Sequence, residues 1–520
     1  MVIRVGLERF VLVACAAVAC AEPQDGEGSS GGDPGKADDG AGTEVLQNGN
    51  GQNARFRGIG RFQGEMTCTG FLVDNGGGAE APAYVLTNGH CAGLSWSDQQ
   101  SAVAVVVDAT PGRDGAQGAQ VSFDYFADTT PTPVPARTIR FATMKGIDLA
   151  VVELATTRGE LAGRGIEPLP WAEAAPTPGE AITIVGAPLI DPDFLRRADC
   201  HDGGETGIVE RGWYWPRVRR NDCPGIAEGS SGSPVLDTHG KLQAIVNTTT
   251  RGQDRAGACF LGAPCEIGGG MDEALDENGF DFADGTSYAM PIGALRGCFG
   301  DDGRFDRSHA GCPLDHGRQL AVTNMPFFRV PPRARDGAPS TWEVSLAEAA
   351  GLGHYVEKSG PAGSVRCSDA AGYSLPRAVA SQDLAARPLP ATDGPYVMCV
   401  RGGTSDDPNG WWQEPAFATA IVTYVDSTPP SARPTLAIRA VMPGEAIVVE
   451  PIFHVPEQAG FTYAFGPRDS TDCGRPDLAW RPYFRFPIDV EASVVPARFC
   501  LRAEDLADNV GPIHQYELTF

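Results

Sequence analysis

The sequence predicts an all-β fold, and three observations carry that expectation. Glycine and proline are abundant, 65 and 42 of 520 residues, which suits short strands joined by many turns. Apolar residues alternate in short runs rich in Val, Ile, Thr and aromatics, and no apolar pattern of helical period runs beyond about three turns. The runs T-G-F-L-V, A-Y-V-L-T, A-V-A-V-V-V, D-L-A-V-V-E-L, I-T-I-V-G and A-I-V-N-T follow one another between residues 54 and 300. A stretch of that length holds one large β unit or two barrels packed together.

The N-terminus reads as an export signal over residues 1–20. Arg4 and Arg9 precede F-V-L-V-A-C-A-A-V-A, an apolar stretch too short to span a bilayer. The small residues before Cys20 resemble a bacterial lipoprotein cleavage box, which implies that Cys20 is lipidated and becomes the mature N-terminus. An ordinary signal cut after Ala19 or Ala21 is the alternative. Residues 21–53, rich in Gly, Ser and Asp, follow as a flexible tether with nothing to build a core from. The lipid would be the only membrane attachment, with the outer membrane favoured and a secreted form as the alternative.

Charge and cysteine usage agree with export. A formal charge of −25 argues against nonspecific binding to nucleic acid or anionic lipid. Of 14 cysteines, Cys15 lies in the signal and Cys20 is the lipid candidate, leaving 12 for the mature chain. An even number outside the cytoplasm points to disulfides rather than metal. Pairing neighbours in sequence gives Cys68–Cys91, Cys200–Cys223, Cys259–Cys265, Cys298–Cys312, Cys367–Cys399 and Cys473–Cys500; connectivity stays open at this level. No cluster has zinc spacing, and the acidic run at 272–285 misses the EF-hand pattern, so it reads as a solvated loop with no metal or other cofactor.

Past Cys312 an internal repeat appears. G-P-Y-V-M-C-V-R at 394–401 and V-P-A-R-F-C-L-R at 495–502 each close on a cysteine whose sequence neighbour lies upstream. A disulfide-closed connector at 301–320 should lead to two β-sandwich modules, 321–428 and 429–520. The joint between them, V-D-S-T-P-P-S-A-R-P, is a segment no central strand could contain. It resembles the joints of bacterial immunoglobulin-like and fibronectin-like modules. Such modules act either as plain spacers or as binders of a cell-surface or macromolecular ligand, with Trp411, Trp412 and Trp480 as the aromatics to inspect.

Three stretches between residues 54 and 300 carry chemistry: L-T-N-G-H-C around His90, G-I-D-L-A-V-V around Asp148 and E-G-S-S-G-S-P around Ser231. A serine hydroxyl is a poor nucleophile until a histidine takes its proton and a carboxylate holds that histidine. The order His, Asp, Ser and all three contexts resemble the trypsin/chymotrypsin family, and most closely its bacterial members, including glutamyl endopeptidases with G-[NS]-S-G-S-P. The resemblance implies a double β-barrel with His90 and Asp148 on the first barrel and Ser231 on the second. It also implies a Cys68–Cys91 staple beside the base and an oxyanion hole of the Gly229 and Ser231 amides. His201 and His239 have no such setting, and Asp124 and Asp128 lie in a looser loop than Asp148.

Ser230 stands where digestive members of the family carry an aspartate, and no I-V-G-G-like start is present, which argues against activation by insertion of a new N-terminus. Whether residues 21–54 inhibit the enzyme stays open. By the same alignment Gly225 forms the specificity-pocket floor, which excludes an acid there, and Val246, Asn247 and Thr248 line its wall. The basic run R-G-W-Y-W-P-R-V-R-R, 211–220, reads as a solvated hairpin, with a preference for acidic peptides as the functional alternative. The expectation is therefore a serine endopeptidase at 54–300 acting on peptides or proteins. The rival is a catalytically silent protease fold used for adhesion, against which an intact triad weighs.

Overall fold

The computed structural model describes residues 41–520, apart from residues 65, 95–98, 112–117, 254–258, 268–281, 316, 335, 408, 441–444 and 454–457. The signal, Cys20 and most of the predicted tether therefore lie outside the described residues, as does most of the acidic run.

The first fifteen strands are β1 (Glu44–Val45), β2 (Ile59–Gln63), β3 (Thr67–Leu72), β4 (Pro82–Thr87), β5 (Val105–Ala109), β6 (Gln120–Phe123), β7 (Thr132–Thr143), β8 (Leu149–Thr157), β9 (Ala181–Gly186), β10 (Arg196–Glu210), β11 (Trp213–Asn221), β12 (Pro234–Leu236), β13 (Leu242–Thr249), β14 (Cys265–Ile267) and β15 (Ser287–Pro291). They close into two antiparallel barrels. The first runs β2-β3-β4-β8-β7-β6 and returns to β2, with β5 added on β7. The second runs β9-β10-β11-β15-β13-β12 and returns to β9, with β1 and β14 added on β10. Closure removes the open edges that strands this short would otherwise expose.

Short, nearly continuous apolar runs supply the fill. In β3 and β4 the residues Phe71, Leu72, Tyr84, Val85 and Leu86 are buried, and in β8 so are Leu149, Val151, Val152 and Leu154. Together with Phe62, Val121, Phe123 and Phe141 they form the core of the first barrel. Ile182, Ile184, Val235, Ala244 and Val246 form a core in the second, against the Cys200–Cys223 disulfide. All six disulfides obtained by pairing neighbours are present.

Two expectations need correction. Residues 41–53 are no tether: β1 pairs with Arg196 and Arg197, Leu46 is fully buried, and the amides of Asn48 and Gly49 donate to the Asp128 carboxylate at 2.6 and 2.8 Å. The Val45–Leu46 pair supplies apolar anchors that the surrounding polar composition hides. The 211–220 segment is no solvated hairpin either. It forms β11, with Trp213, Tyr214 and Trp215 buried. Its guanidiniums are taken up within the protein: Arg219 by Asp202, Arg220 by Glu266, Arg217 by Glu205, and Arg211 over the Phe328 ring.

Beyond the barrels lie two further β units. The first holds β16 (Ala321–Asn324), β17 (Arg329–Val330), β18 (Ser345–Ala347), β19 (His354–Pro361), β20 (Arg377–Ala378), β21 (Gly394–Gly403) and β22 (Thr419–Val425), as a five-stranded sheet β17-β22-β21-β19-β20 and a β16-β18 pair. The second holds β23 (Thr435–Ala440), β24 (Ile447–Ile452), β25 (Gly460–Pro467), β26 (Arg481–Pro482), β27 (Ile488–Val490), β28 (Ala497–Glu504) and β29 (His514–Leu518), in sheets of three and four strands. The first unit is packed on the second barrel: Val209, Tyr214 and Ile267 share a buried cluster with Ala362, Val397, Cys399 and Val422. The Tyr214 hydroxyl donates to Val365 O at 3.1 Å.

Candidate active site

His90 opens a single 3₁₀ turn, His90–Ala92, directly after β4. Gly89 allows the turn to approach the end of β7, because a Cβ there would stand 2.2 Å from Thr143 O. Gly93, at φ +114°, ends the turn, and Cys91 is tied to Cys68 on β3. The imidazole is thus held at the barrel rim by a disulfide on one side and a close backbone contact on the other.

Asp148 sits one residue before β8 and is fully buried. Its Oδ2 lies 2.6 Å from His90 Nδ1, and its Oδ1 accepts from the His90 amide at 3.2 Å. Asn88 Nδ2 donates to Asp148 O at 2.9 Å, closing the pair into one unit. The carboxylate thereby selects the imidazole tautomer with the proton on Nδ1 and leaves Nε2 as the basic nitrogen. The acids in the looser loop have other tasks: Asp124 pairs with Arg57, and Asp128 holds the Asn48 and Gly49 amides.

Ser231 lies on the second barrel in the turn before β12. The turn is built by Gly229 at φ +86° and Gly232 at φ +85°, a region that glycine enters without cost. Ser230, buried, fastens it: its Oγ accepts from Ala227 N at 3.1 Å, and its carbonyl accepts from Ser233 N at 3.0 Å and Ser233 Oγ at 2.6 Å. Among the described residues, neither the Gly229 nor the Ser231 amide donates a hydrogen bond within the protein. Both are available to an oxyanion. The Ser231 hydroxyl donates to Asn247 O at 3.4 Å, and no hydrogen bond among the described residues joins it to His90. The structure thus brings together His90 and Asp148 by direct contact, and places Ser231 on the neighbouring barrel.

Thr69 on β3 ties the two barrels at this point. Its amide donates to Ser231 O at 2.8 Å, its hydroxyl donates to Gly229 O at 2.8 Å, and the hydroxyl accepts from Ala187 N at 2.9 Å. Nothing local in C-T-G-F-L-V marks that role, because all three partners lie more than a hundred residues away.

The expected pocket residues fall as follows. Gly225 is buried at φ +66°, and a Cβ on it would lie 2.2 Å from the Thr43 methyl, so the segment before β1 fills the space that faces it. Val246 and Asn247 are buried on β13 and Thr248 is half-buried beside them. Sequence reading missed Glu210, at the end of β10. It is buried, Gly262 N donates to its Oε1 at 2.7 Å, and burial pushes its pKa up to about 7, opposed by Gly262, Thr248 and His90. His90 is pulled both ways: burial disfavours the imidazolium, while Asp148 and Glu210 favour it, and the pKa is raised from 6.5. Cys68, His90 and Cys91 place ligand-type atoms within 4.8 Å of one another, but the sulfurs are spent in their disulfide.

Residues 68–245 match the family model of the trypsin-like peptidase domain. The chain carries a trypsin-like peptidase domain, and it is a hydrolase of the serine-peptidase class whose substrates are peptides or proteins. A solved serine endoprotease from Yersinia pestis is similar at 14% identity, over 72% of this chain and 98% of its own, with a TM-score of 0.30. The Rv3671c protease from M. tuberculosis, in its active form, is similar at 14% identity over 47% of this chain and 80% of its own, with a TM-score of 0.28. No curated protein matches the sequence.

Proposed function

We propose that this chain is an exported serine endopeptidase that cleaves peptide bonds through His90, Asp148, Ser231 and an acyl-enzyme. The observation that carries the reading is the 2.6 Å contact between His90 Nδ1 and a fully buried Asp148, together with a Ser231 turn, tied to β3 through Thr69, whose Gly229 and Ser231 amides are unused. Substrate displaces the Ser231 hydroxyl from Asn247 O, and rotation about its Cα–Cβ bond turns it to His90 Nε2. Nε2 takes the hydroxyl proton as Oγ bonds to the scissile carbonyl carbon, and the carbonyl oxygen becomes an oxyanion held by the two amides. The imidazolium, stabilised by Asp148, then gives that proton to the departing amine as the C–N bond breaks. Water repeats the sequence on the ester: Nε2 takes its proton, its oxygen bonds to the acyl carbon, and Ser231 leaves reprotonated.

The domain assignment follows from the same reading: a protease at 54–300 with the segment 41–53 packed onto it, a connector at 301–320 and two sandwich modules after it. Export through the 1–20 signal and a lipid on Cys20 are part of the proposal, supported by the signal layout and by a mature chain whose cysteines pair off. Hydrolysis of unfolded protein substrates by the wild type, with turnover about 10⁶-fold lower in Ser231→Ala, is the expected result, read by mass spectrometry of the fragments. Equal rates for the two proteins would sink the assignment. For the anchor, incorporation of a labelled fatty acid should be lost in Cys20→Ser; retained label would place the lipid elsewhere.

A further inference from the structure

Lys145 belongs to the five-residue loop, 144–148, between β7 and β8, three residues before Asp148. Its ammonium is nearly buried, with its side chain 5% exposed, and it donates three hydrogen bonds: to Asp315 Oδ2 at 2.7 Å, to Gln319 Oε1 at 2.6 Å and to Phe417 O at 2.8 Å. Three donors are all that an ammonium has. The first two acceptors lie in the connector, and the third lies in the first C-terminal unit, on the short 3₁₀ turn Pro415–Phe417 before β22. That acceptor is itself fixed: Gln413 Nε2 donates to Phe417 O at 2.6 Å. Gln319 is held at its other end, since its Nε2 donates to Val103 O at 2.8 Å.

The neighbours of Lys145 are fastened as well. Thr143 Oγ1 accepts from Lys145 N at 3.0 Å and donates to Ala104 O at 2.7 Å, and Met144 O accepts from the buried Trp215 Nε1 at 2.9 Å. The loop that presents Asp148 is therefore gripped by the first barrel through Thr143, by the second through Met144, and by the connector and first C-terminal unit through Lys145.

We propose that Lys145 is a positioning residue for Asp148, and that the connector and first C-terminal unit complete the active site by holding its ammonium. This rests on the triad reading above. The carboxylate meets His90 Nδ1 at hydrogen-bond distance only if the loop keeps one conformation, and misplacement of about 1 Å at such a contact costs on the order of 10²-fold in rate. The C-terminal unit then serves the reaction itself, rather than only delivering substrate to an independent protease.

The test uses the full chain. Lys145→Met keeps most of the stem and removes the ammonium, and it is compared with wild type, Asp148→Asn and the double variant. The expected kcat is about 10- to 100-fold below wild type with KM unchanged, and the loss disappears in the Asp148→Asn background because the two residues act as a unit. The far-downfield proton resonance of His90 Nδ1 should broaden or move upfield in Lys145→Met. Wild-type kcat, or an equal loss in both backgrounds with the Nδ1 resonance unmoved, overturns the proposal. If Lys145→Met does not fold, Gln319→Leu and Asp315→Asn carry the same comparison, each altering one acceptor around a retained ammonium. A wild type that hydrolyses nothing defeats the triad reading, while the Nδ1 resonance still reports whether Lys145 holds the pair.

Discussion

The imidazole of His90 and the carboxyl of Glu210 titrate in each other's field, and this sets two pH dependences. In the proposed mechanism His90 must be neutral to act as a base, and its pKa is raised above 6.5. Activity should therefore climb with pH along an acid limb lying above the ordinary histidine value. Glu210→Gln removes one of the groups that favour the imidazolium, so the limb of kcat/KM should move to lower pH; an unmoved limb contradicts the coupling. Glu210 also bears on stability. Its pKa is raised from 4.5 to about 7 in the folded chain, so between those values the folded state binds more proton than the unfolded one. Stability falls as pH rises from about 4.5 to about 7 and levels off above that, by on the order of 3 kcal/mol in all, and Glu210→Gln should flatten that part of a denaturation series.

Gly232 permits a sharper test at the same scale. Its φ is +85°, and a Cβ would lie 2.1 Å from Thr69 O, on the backbone that bridges to Ser231. Gly232→Ala should lower kcat by at least about 10²-fold, the loss expected when an oxyanion donor is misplaced. A Gly232→Ala chain with wild-type kcat would mean that the turn tolerates movement. His90, Asp148 and Ser231 were legible as candidates because each sits in a local context whose glycines and cysteine have a physical task. Lys145, Glu210 and Thr69 were not, since their partners stand far along the chain and leave no local pattern.

Among elements, short apolar runs such as those of β3, β4 and β8, buried along most of their length, were readable as strands from their length and residue types. The hairpin of β10 and β11 was not. Its arginines suggested a solvated surface, yet Asp202, Glu205 and Glu266 neutralise them from neighbouring strands while Trp213 and Trp215 go inward. A basic run and its acidic partners are separate features in a sequence and become one only after pairing. The short turn carrying His90 leans on its staple: Cys68 and Cys91 close a loop with a sequence separation of 23, worth about 3 kcal/mol by the chain-entropy account. Replacing both cysteines by alanine should lower the denaturation midpoint and kcat together, whereas a change in stability alone would show that the turn holds without it.

At the scale of the molecule, the repeat past Cys312 and its two closing disulfides announced two β units. Their packing was invisible. Tyr214, Val209 and Ile267 look like ordinary barrel residues until Val397 and Val422 cover them. The aromatics singled out as a ligand surface are also partly engaged: Trp412 packs on Gly403 and donates to Asp407 O at 3.1 Å, Arg502 lies over Trp480, and Arg318 over Trp411. The first C-terminal unit is thus joined to the peptidase domain by a shared core and by the Lys145 ammonium.

The most direct measurement of the central claim is intact mass after exposure of the folded full chain to a fluorophosphonate, beside Ser231→Ala. A single adduct on the wild type and none on the variant is the result expected of a serine activated by His90 and Asp148. A folded wild type that takes up no adduct, or a Ser231→Ala chain that is labelled equally, would contradict the account.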